Sequence, residues 1–288
     1  MPTAVLTDST ACLTPELADE AGVTVIPLHV QVGRRTLAEG VDISVDEVVD
    51  LLRAGKEKVG TSRPAPGEFV VAFRQLAERT GCDSIVAVLI SAEISGTVEA
   101  AQLAAEAVRD EVSVHVVDSR ILGMGMGYAA AAAADAARAG ASAEQAAEVA
   151  RTRCAAASTY FYVDTLEHLR RGGRVGTAQA LLGSALAIKP LLTLADGEVQ
   201  LAERVRTRAK ALARLEEKCL EAVAAVPADH AVDIAVHHLA WAAQAEGLRD
   251  RLREAVPAGG RVDLVELGAV AGVHTGPGTL AVTVAPRL

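Results

Sequence analysis

The sequence of 288 residues predicts an α/β protein made of two unlike halves. In the N-terminal half, short continuous apolar runs alternate with helical patterns, which is typical of a mostly parallel sheet covered by helices on both faces. In the C-terminal half, strand-like runs follow one another closely, which indicates an α+β arrangement with a mixed or antiparallel sheet. We therefore expect an α/β domain over residues 1–155 and an α+β domain over residues 156–288.

The N-terminal domain is predicted from apolar runs that end in polar residues and from segments with apolar residues at helical spacing. The strand candidates are 3–7, 24–32, 84–90 and 112–119, and the helical segments are 67–81, the stretch that ends near residue 109, 125–138 and 143–157. Strands separated by helices are joined in parallel, so these strands should form one sheet.

The C-terminal domain is predicted from a hairpin and from further strand-like runs. Asp196-Gly197 separates two such runs within 188–206, and this dipeptide is a strong hairpin signal. The other strand candidates are 159–164, 231–238, 261–270 and 279–286, and the helical segments are 207–225 and 240–256. A hairpin beside two helices favours a sheet with antiparallel pairs.

Composition excludes several classes of protein. A formal net charge of −9 argues against a nucleic-acid surface as the main function. The N-terminus lacks the pattern of a signal peptide, and Asp135 and Arg138 interrupt the apolar stretch 123–140, so we expect a cytoplasmic protein without a membrane span. The scattered cysteines predict reduced thiols and no zinc site; they are Cys12, Cys82, Cys154 and Cys219.

Four clusters of hydroxyl and carboxyl residues follow or border the predicted strands. They are Asp8-Ser9-Thr10, Thr61-Ser62, Ser95-Gly96-Thr97 and Asp118-Ser119. Ligands of open α/β sheets bind beyond the carboxyl ends of the strands. Thr61-Ser62, ahead of a helix start at Pro64, and Ser95-Gly96-Thr97 immediately precede predicted helices, whose N-termini suit an anion. Ordinary N-caps are the alternative interpretation.

His274 lies in the glycine-rich stretch "GVHTGPG" and is a candidate for anion contact or proton transfer. Ser95, His274 and either Asp8 or Asp118 supply the residue types of a catalytic triad, but the G-x-S-x-G elbow is absent. No metal-ligand spacing, phosphate loop or G-x-G-x-x-G fingerprint occurs either. We therefore expect neither a metal nor a nucleotide cofactor.

Two basic stretches, 169–176 and 204–214, predict either a solvated face or a docking surface for a partner or a phosphate. The arginines considered for docking are Arg170, Arg171, Arg204, Arg206 and Arg208.

The order of several short motifs resembles that of the DegV family, which includes the fatty-acid-binding subunits of bacterial fatty acid kinase. The resemblance covers nearly the whole chain. Its motifs are "TDST" near the N-terminus, "TSRP" at 61–64, "ISGT" at 94–97, "VVDS" at 116–119, "YFYVDTLEHLRRGGR" at 160–174, "LAIKPLL" at 186–192 and "HTGPG" at 274–278.

This resemblance implies two domains with one long-chain fatty acid buried between them. It implies that Thr61, Ser62, Ser95 and His274 hold the carboxylate. The residues considered as supporting the site are Gly96, Thr97, Asp8, Ser119 and Arg174. In kinase-linked members a separate ATP-dependent subunit phosphorylates the bound carboxylate, and the acyl phosphate enters phospholipid synthesis. The chain is then a carrier without catalytic activity, and the basic stretches would dock the kinase.

The chain departs from the family pattern at Ala65 and Ala92, where the family often has hydroxyl residues. These changes could weaken or re-aim contacts to the carboxylate. Two alternatives to a fatty acid carrier stay open: a binding protein for another apolar acid, such as an isoprenoid or polyketide, and a Ser/His acyl esterase that uses Ser95.

Overall fold

A computed structural model describes residues 2–181, 189–256 and 260–288, with the side chains of residues 179–181 excepted. The strands in chain order are β1 (Thr3–Asp8), β2 (Val23–Ile26), β3 (His29–Val32), β4 (Arg35–Ala38), β5 (Val59–Ser62), β6 (Ser84–Leu89), β7 (Ser113–Asp118), β8 (Ser158–Tyr162), β9 (Lys189–Ala195), β10 (Glu198–Val205), β11 (Val232–Leu239), β12 (Arg261–Glu266) and β13 (Thr279–Pro286).

The helices in chain order are α1 (Pro15–Ala21), α2 (Val45–Ala54), α3 (Pro66–Thr80), α4 (Thr97–Ala107), α5 (Met124–Arg138), α6 (Ala143–Ala156), α7 (Glu167–Arg171), α8 (Arg208–Ala224), α9 (Ala242–Ala255) and α10 (Ala269–Thr275), with short 3-10 turns at Ser9–Ala11 and Gly176–Leu181. None of the helices in the described ranges has the length and apolar character needed to cross a membrane.

The first sheet is parallel, as predicted, and the structure gives it the strand order β2-β1-β6-β7. Its central strands, β1 and β6, are mostly buried because helices pack on each face. α3 and α4 cover one face, where Phe69 and Phe73 pack against Leu6 and Ile85. α5 and α6 cover the other face, mainly with alanines. Small side chains let these helices lie close to the sheet, which explains how a core with few aromatic residues is filled.

The predicted strand 24–32 is wrong as a single element. It breaks at Pro27 into β2 and β3, which belong to different sheets. Proline lacks a backbone N–H and fixes φ, so it ends the hydrogen-bonded ladder. The released strand β3 pairs antiparallel with both β4 and β5 in a small three-stranded sheet.

The third sheet is mixed and has the order β10-β9-β8-β13-β11-β12, with a parallel pair only between β11 and β12 in the described part of the chain. The predicted hairpin is confirmed, since β9 and β10 are antiparallel and joined at Asp196 and Gly197. Both turn residues have positive φ, 53° and 87°, as a two-residue hairpin turn requires.

The mixed sheet uses its two faces differently. On β13, Leu280, Val282 and Val284 pack into the apolar core that α8 and α9 complete. Successive residues of a strand point to opposite faces, so Thr279, Ala281 and Thr283 face away from these helices. Short helix α10 follows β12 and packs onto β3, β5 and α2 of the N-terminal half. The two halves are therefore firmly joined around the second face of the mixed sheet.

Candidate functional site

A cavity of about 310 Å³ lies between the second face of the mixed sheet and the loops and strands of the N-terminal half. Its size falls within the range of small-molecule sites, roughly 300–1,000 Å³. Much of the wall is apolar and comes from both halves of the chain. Apolar wall residues include Leu28, Ile90, Leu122, Phe161, Leu194 and Val270.

One part of the wall is polar and contains all four residues for which a carboxylate contact is expected. These are Thr61, Ser62, Ser95 and His274, and Gly96 and Arg174 line the same cavity. The four come from β5, from the loop before α4 and from α10, so folding collects them from distant parts of the chain. We call this part of the wall the head site.

Thr61 and His274 are in direct contact at the head site. Thr61 Oγ1 lies 2.8 Å from His274 Nε2, across 213 positions of sequence. Burial is the main cause that lowers the pKa of His274 to about 4, and the nearby Arg174 cation adds to it. The imidazole is therefore neutral near pH 7 and can offer one N–H to an anion.

The structure corrects the expected setting of His274. The sequence predicts a glycine-rich turn, but His274 lies in the last turn of α10, and Gly276 ends that helix with a φ of 79°. The small apolar residues before His274 form the helix because their side chains pack on the three-stranded sheet. Gly172 packs against the ring, where a Cβ would lie only 2.0 Å from His274 Nδ1.

The setting of Thr61 and Ser62 also differs from the expectation. They lie in β5, and α3 begins at Pro66 rather than at Pro64, with Ala65 as its N-cap residue. Pairing of β5 with β3, which places Thr61 opposite Val30, holds them in an extended strand. They therefore reach the cavity from the antiparallel sheet and not from a helix N-terminus.

The Ser95 cluster does precede a helix, as predicted. α4 begins at Thr97 after Gly96, and no side chain caps its N-terminus. Ser95 Oγ lies 2.8 Å from Thr97 Oγ1, and Thr97 is fully buried. Ser95 and Gly96 line the cavity. Thr97 lies outside the cavity wall and holds the Ser95 side chain in place through this hydrogen bond. A bare helix N-terminus of this kind favours an anion.

Asp8 and Ser119 lie behind the cavity wall rather than in it. The Asp8 carboxylate accepts hydrogen bonds from Thr10 N at 2.9 Å and from Ile90 N at 2.8 Å. Burial raises the pKa of this carboxyl group and outweighs these hydrogen bonds. Ser119 Oγ donates to the Ile121 carbonyl at 2.9 Å. Both side chains fix wall segments and do not contribute polar atoms to the cavity.

The residue types of a catalytic triad are not assembled. Ser95 Oγ bonds to Thr97, whereas His274 Nε2 bonds to Thr61, so no serine–histidine pair forms at this site. The described parts of the chain contain no cluster of three potential metal ligands. All four cysteines lie in these parts as buried free thiols.

Sequence reasoning missed several residues of the cavity. Arg63 lines the head site beside Gly96, with Arg63 Nη2 3.6 Å from a Glu99 carboxylate oxygen. Arg63 follows Thr61 and Ser62 in the "TSRP" motif. A cationic side chain next to two candidate anion-binding hydroxyls could therefore have been predicted to belong to the site. His237, Thr159 and Thr283 line the cavity from the mixed sheet.

The candidate docking arginines lie in exposed positions with different local contacts. Arg170 and Arg171 both bond to Glu167 on α7, at 2.6 and 3.0 Å. Arg208 bonds to Asp164 at 2.6 Å, and Arg204 and Arg206 are exposed at the end of β10. Residues 186–188 of the motif "LAIKPLL" lie outside the described residues.

Comparison with known proteins places the chain in one family. A family model described as "Uncharacterised protein, DegV family" matches residues 2–287. The DegV domain-containing protein SCO2569 of Streptomyces coelicolor is 48% identical over 284 residues, which cover 99% of this chain and 98% of that protein.

Solved structures give the same result. A Thermus thermophilus DegV family protein described for its fatty acid binding has a TM-score of 0.89 and 30% identity, with 100% of each chain covered. Bacillus subtilis DegV, described as a fatty acid binding protein, has a TM-score of 0.90 and 30% identity, again with 100% of each chain covered. The chain therefore belongs to the DegV family.

Proposed function

We propose that this protein binds one long-chain fatty acid, with the acyl chain in the cavity and the carboxylate at the head site. The observation that carries the proposal is a largely apolar cavity whose head site brings hydroxyl, imidazole and guanidinium groups together. The solved relatives described as fatty acid binding proteins support it.

The energetics favour such a ligand. Burying a methylene contributes about 0.8 kcal/mol, so the roughly 14 methylenes of a sixteen-carbon acid contribute about 11 kcal/mol before ordering and association costs. The carboxylate adds less net free energy but sets the direction in which the acid enters. The uncapped N-terminus of α4 and the neutral His274 would each donate to it.

Native mass spectrometry of the purified protein, followed by denaturing extraction and lipid analysis, tests the proposal. We expect one fatty acid per chain. A protein that is purified empty and also refuses added fatty acids would overturn it and direct attention to other apolar acids. Hydrolysis of acyl esters that is lost in Ser95→Ala would instead support the esterase alternative.

The head site is tested separately with His274→Ala. Loss of a hydrogen bond to a charged group costs about 1.5–3 kcal/mol, so affinity for the fatty acid should fall at least tenfold. Affinity for the matching fatty alcohol should change less. Equal losses for the acid and the alcohol would remove His274 from carboxylate recognition.

We further propose that the bound carboxylate is presented to a separate ATP-dependent kinase subunit for acyl-phosphate formation in phospholipid synthesis. The free thiols suit the cytoplasmic location that this role requires. The exposed arginines named above are the proposed docking surface. The protein itself then acts as a carrier and does not catalyse the transfer.

Arg206→Glu tests the docking surface. We expect slower acyl-phosphate formation with an ATP-dependent partner subunit and unchanged fatty acid binding. Arg109→Glu is the matched control, because Arg109 follows the far end of α4, about 16 Å along the helix axis from the head site. Equal effects of both substitutions would contradict docking at Arg206.

A further inference from the structure

A pair of buried hydroxyls lines the cavity away from the head site. Thr159 on β8 and Thr283 on β13 lie opposite each other in the antiparallel register, and their Oγ1 atoms are 3.0 Å apart. Their exposed fractions are 6% and 0%, and both residues belong to the cavity wall. Their neighbours on this wall, Phe161 and Leu194, are apolar.

One of the two hydroxyl hydrogens in this pair is left without a hydrogen-bond acceptor in the part of the chain that the structure describes. Two hydroxyls carry two hydrogens, and the bond between them uses one. The second hydrogen has no acceptor among the described residues, and the Thr159 carbonyl is already engaged by Thr193 Oγ1 at 2.8 Å. Either oxygen also keeps lone pairs that can accept.

His237 adds a second polar group to the same wall. It lies on β11 opposite Ala281, two residues from Thr283 along β13. Its Nε2 accepts a hydrogen bond from Met124 N at 3.0 Å, so the ring proton of the neutral imidazole is on Nδ1. That Nδ1 is buried without a hydrogen-bond partner in the described part of the chain.

The distance from the head site is set by strand geometry. Thr279 Oγ1 donates to Gly276 O at the turn that follows His274. Thr283 lies four residues further along the same face of β13, which is about 13 Å at the usual rise of a strand. The pair therefore faces the interior of a long acyl chain and not its carboxylate.

We propose that Thr159 and Thr283, with His237 beside them, form a distal subsite for an oxygen function on the acyl chain, so that the preferred ligand class is a mid-chain hydroxy or oxo fatty acid. The inference rests on the proposed function and specifies its ligand. A plain saturated chain leaves the spare hydrogen unbonded in a dry cavity, whereas a hydroxyl or carbonyl oxygen at the matching carbon accepts it.

Competition binding with stearic acid and a positional series of monohydroxystearic acids tests the subsite. In the unaltered protein, we expect the acid with one hydroxyl position to bind more tightly than stearic acid and about tenfold more tightly than the acids with other positions. In Thr159→Val and Thr283→Val, this advantage should disappear while stearic acid binding is kept. A profile with no favoured position, or a preference that persists in both variants, would overturn the subsite.

Thr7→Val is the matched control, because Thr7 is a buried threonine whose Oγ1 donates to Val88 O within the parallel sheet. It should keep the positional preference. If a valine variant folds poorly, the profile of the unaltered protein alone decides, since only a placed acceptor site selects one carbon. Absence of binding for every acid, stearic acid included, would contradict the proposed function itself rather than the subsite.

Discussion

The two large sheets bury their faces in different ways. The parallel sheet has helices on both faces, and its strands β1 and β6 are buried almost throughout. The mixed sheet has helices α8 and α9 on one face only, and its other face bears Phe161, Ala281 and Leu194 toward the cavity. Helices therefore cover both faces of the first sheet, whereas one face of the second sheet lines a cavity that has room for a ligand.

Because of this difference, we expect one sheet to stabilise the protein independently of a ligand and the other to do so mainly when a ligand is bound. Residues in the core of the parallel sheet should stabilise the protein whether or not a fatty acid is bound. Residues on the open face of the mixed sheet should matter mainly through the ligand, because a ligand that binds only the folded state stabilises it by about 2.7 kcal/mol at a hundredfold excess over Kd.

The largest expected effect is in the parallel sheet. Phe73 is fully buried on α3, and its ring centroid is 5.7 Å from that of Phe69. Phe73→Ala should lower the free energy of unfolding by about 3–5 kcal/mol, by loss of buried area and formation of a cavity. Denaturant titration with and without fatty acid should give the same loss. A loss that depends on the ligand would break the distinction between the sheets.

A smaller effect is expected on the open face. Ala281 is 6% exposed and lies between β8 and β11 on the cavity floor. The phenyl ring in Ala281→Phe should displace several methylenes of the ligand, each of which contributes about 0.8 kcal/mol when buried. The binding free energy of an eighteen-carbon acid should therefore weaken by about 2–3 kcal/mol. Shorter acids should be affected less. Equal losses for short and long acids in a binding titration would show that the ring disturbs the fold instead.

Protonation of His274 should give the next effect. Because burial keeps its folded pKa near 4 against an ordinary 6.5, the unfolded chain takes up a proton first as the pH falls. The contribution of the neutral His274 to stability is therefore present above pH 6.5 and is lost as the pH falls toward 4. Relative to His274→Ala, the ligand-free protein should lose about 1.5 kcal/mol between pH 6.5 and pH 5.

Denaturant titrations of both proteins across this pH range measure the difference. The buried groups Asp8, Glu39 and His237 are present in both proteins, so their titration cancels. Parallel stability profiles would show that His274 titrates normally in the folded state.

The smallest effect is expected at a hydrogen bond between the loop after β6 and the turn that joins β9 to β10. Ser91 is fully buried, and its Oγ donates to Gly197 O at 2.7 Å in the turn between β9 and β10. Ser91→Ala should cost about 1 kcal/mol of unfolding free energy. It should also speed ligand exchange measured by fluorescence displacement. Unchanged exchange would mean that this turn does not restrain the cavity.

Much of the fold could be predicted from the sequence because local patterns dominate it. The hairpin at Asp196 and Gly197 and the alternation of strands and helices are local signals. The split at Pro27 was missed, because a β-branched run on both sides of a proline resembles one strand. The pairing of β5 with β3 was also not predicted, since antiparallel pairing depends on segments far apart in the chain.

The head site could be predicted mainly through the resemblance to a family. The sequence supplied Thr61, Ser95 and His274 as candidates, but their meeting depends on tertiary packing over 213 positions. Arg63 was overlooked although it stands beside Ser62. Thr159 and Thr283 look like ordinary strand residues, because which face of a sheet meets a cavity is not encoded in either strand alone.

The position of β13 has a consequence for the order of folding. This strand lies between β8 and β11, in the interior of the mixed sheet, although it is far from β8 in the sequence. Until it pairs, the cavity lacks Thr279, Ala281 and Thr283, and α10 lacks the strand that follows His274. The strands of the parallel sheet all precede α5, so that sheet can form without β13. Closure of the cavity therefore depends on completion of the mixed sheet and not on the parallel sheet alone.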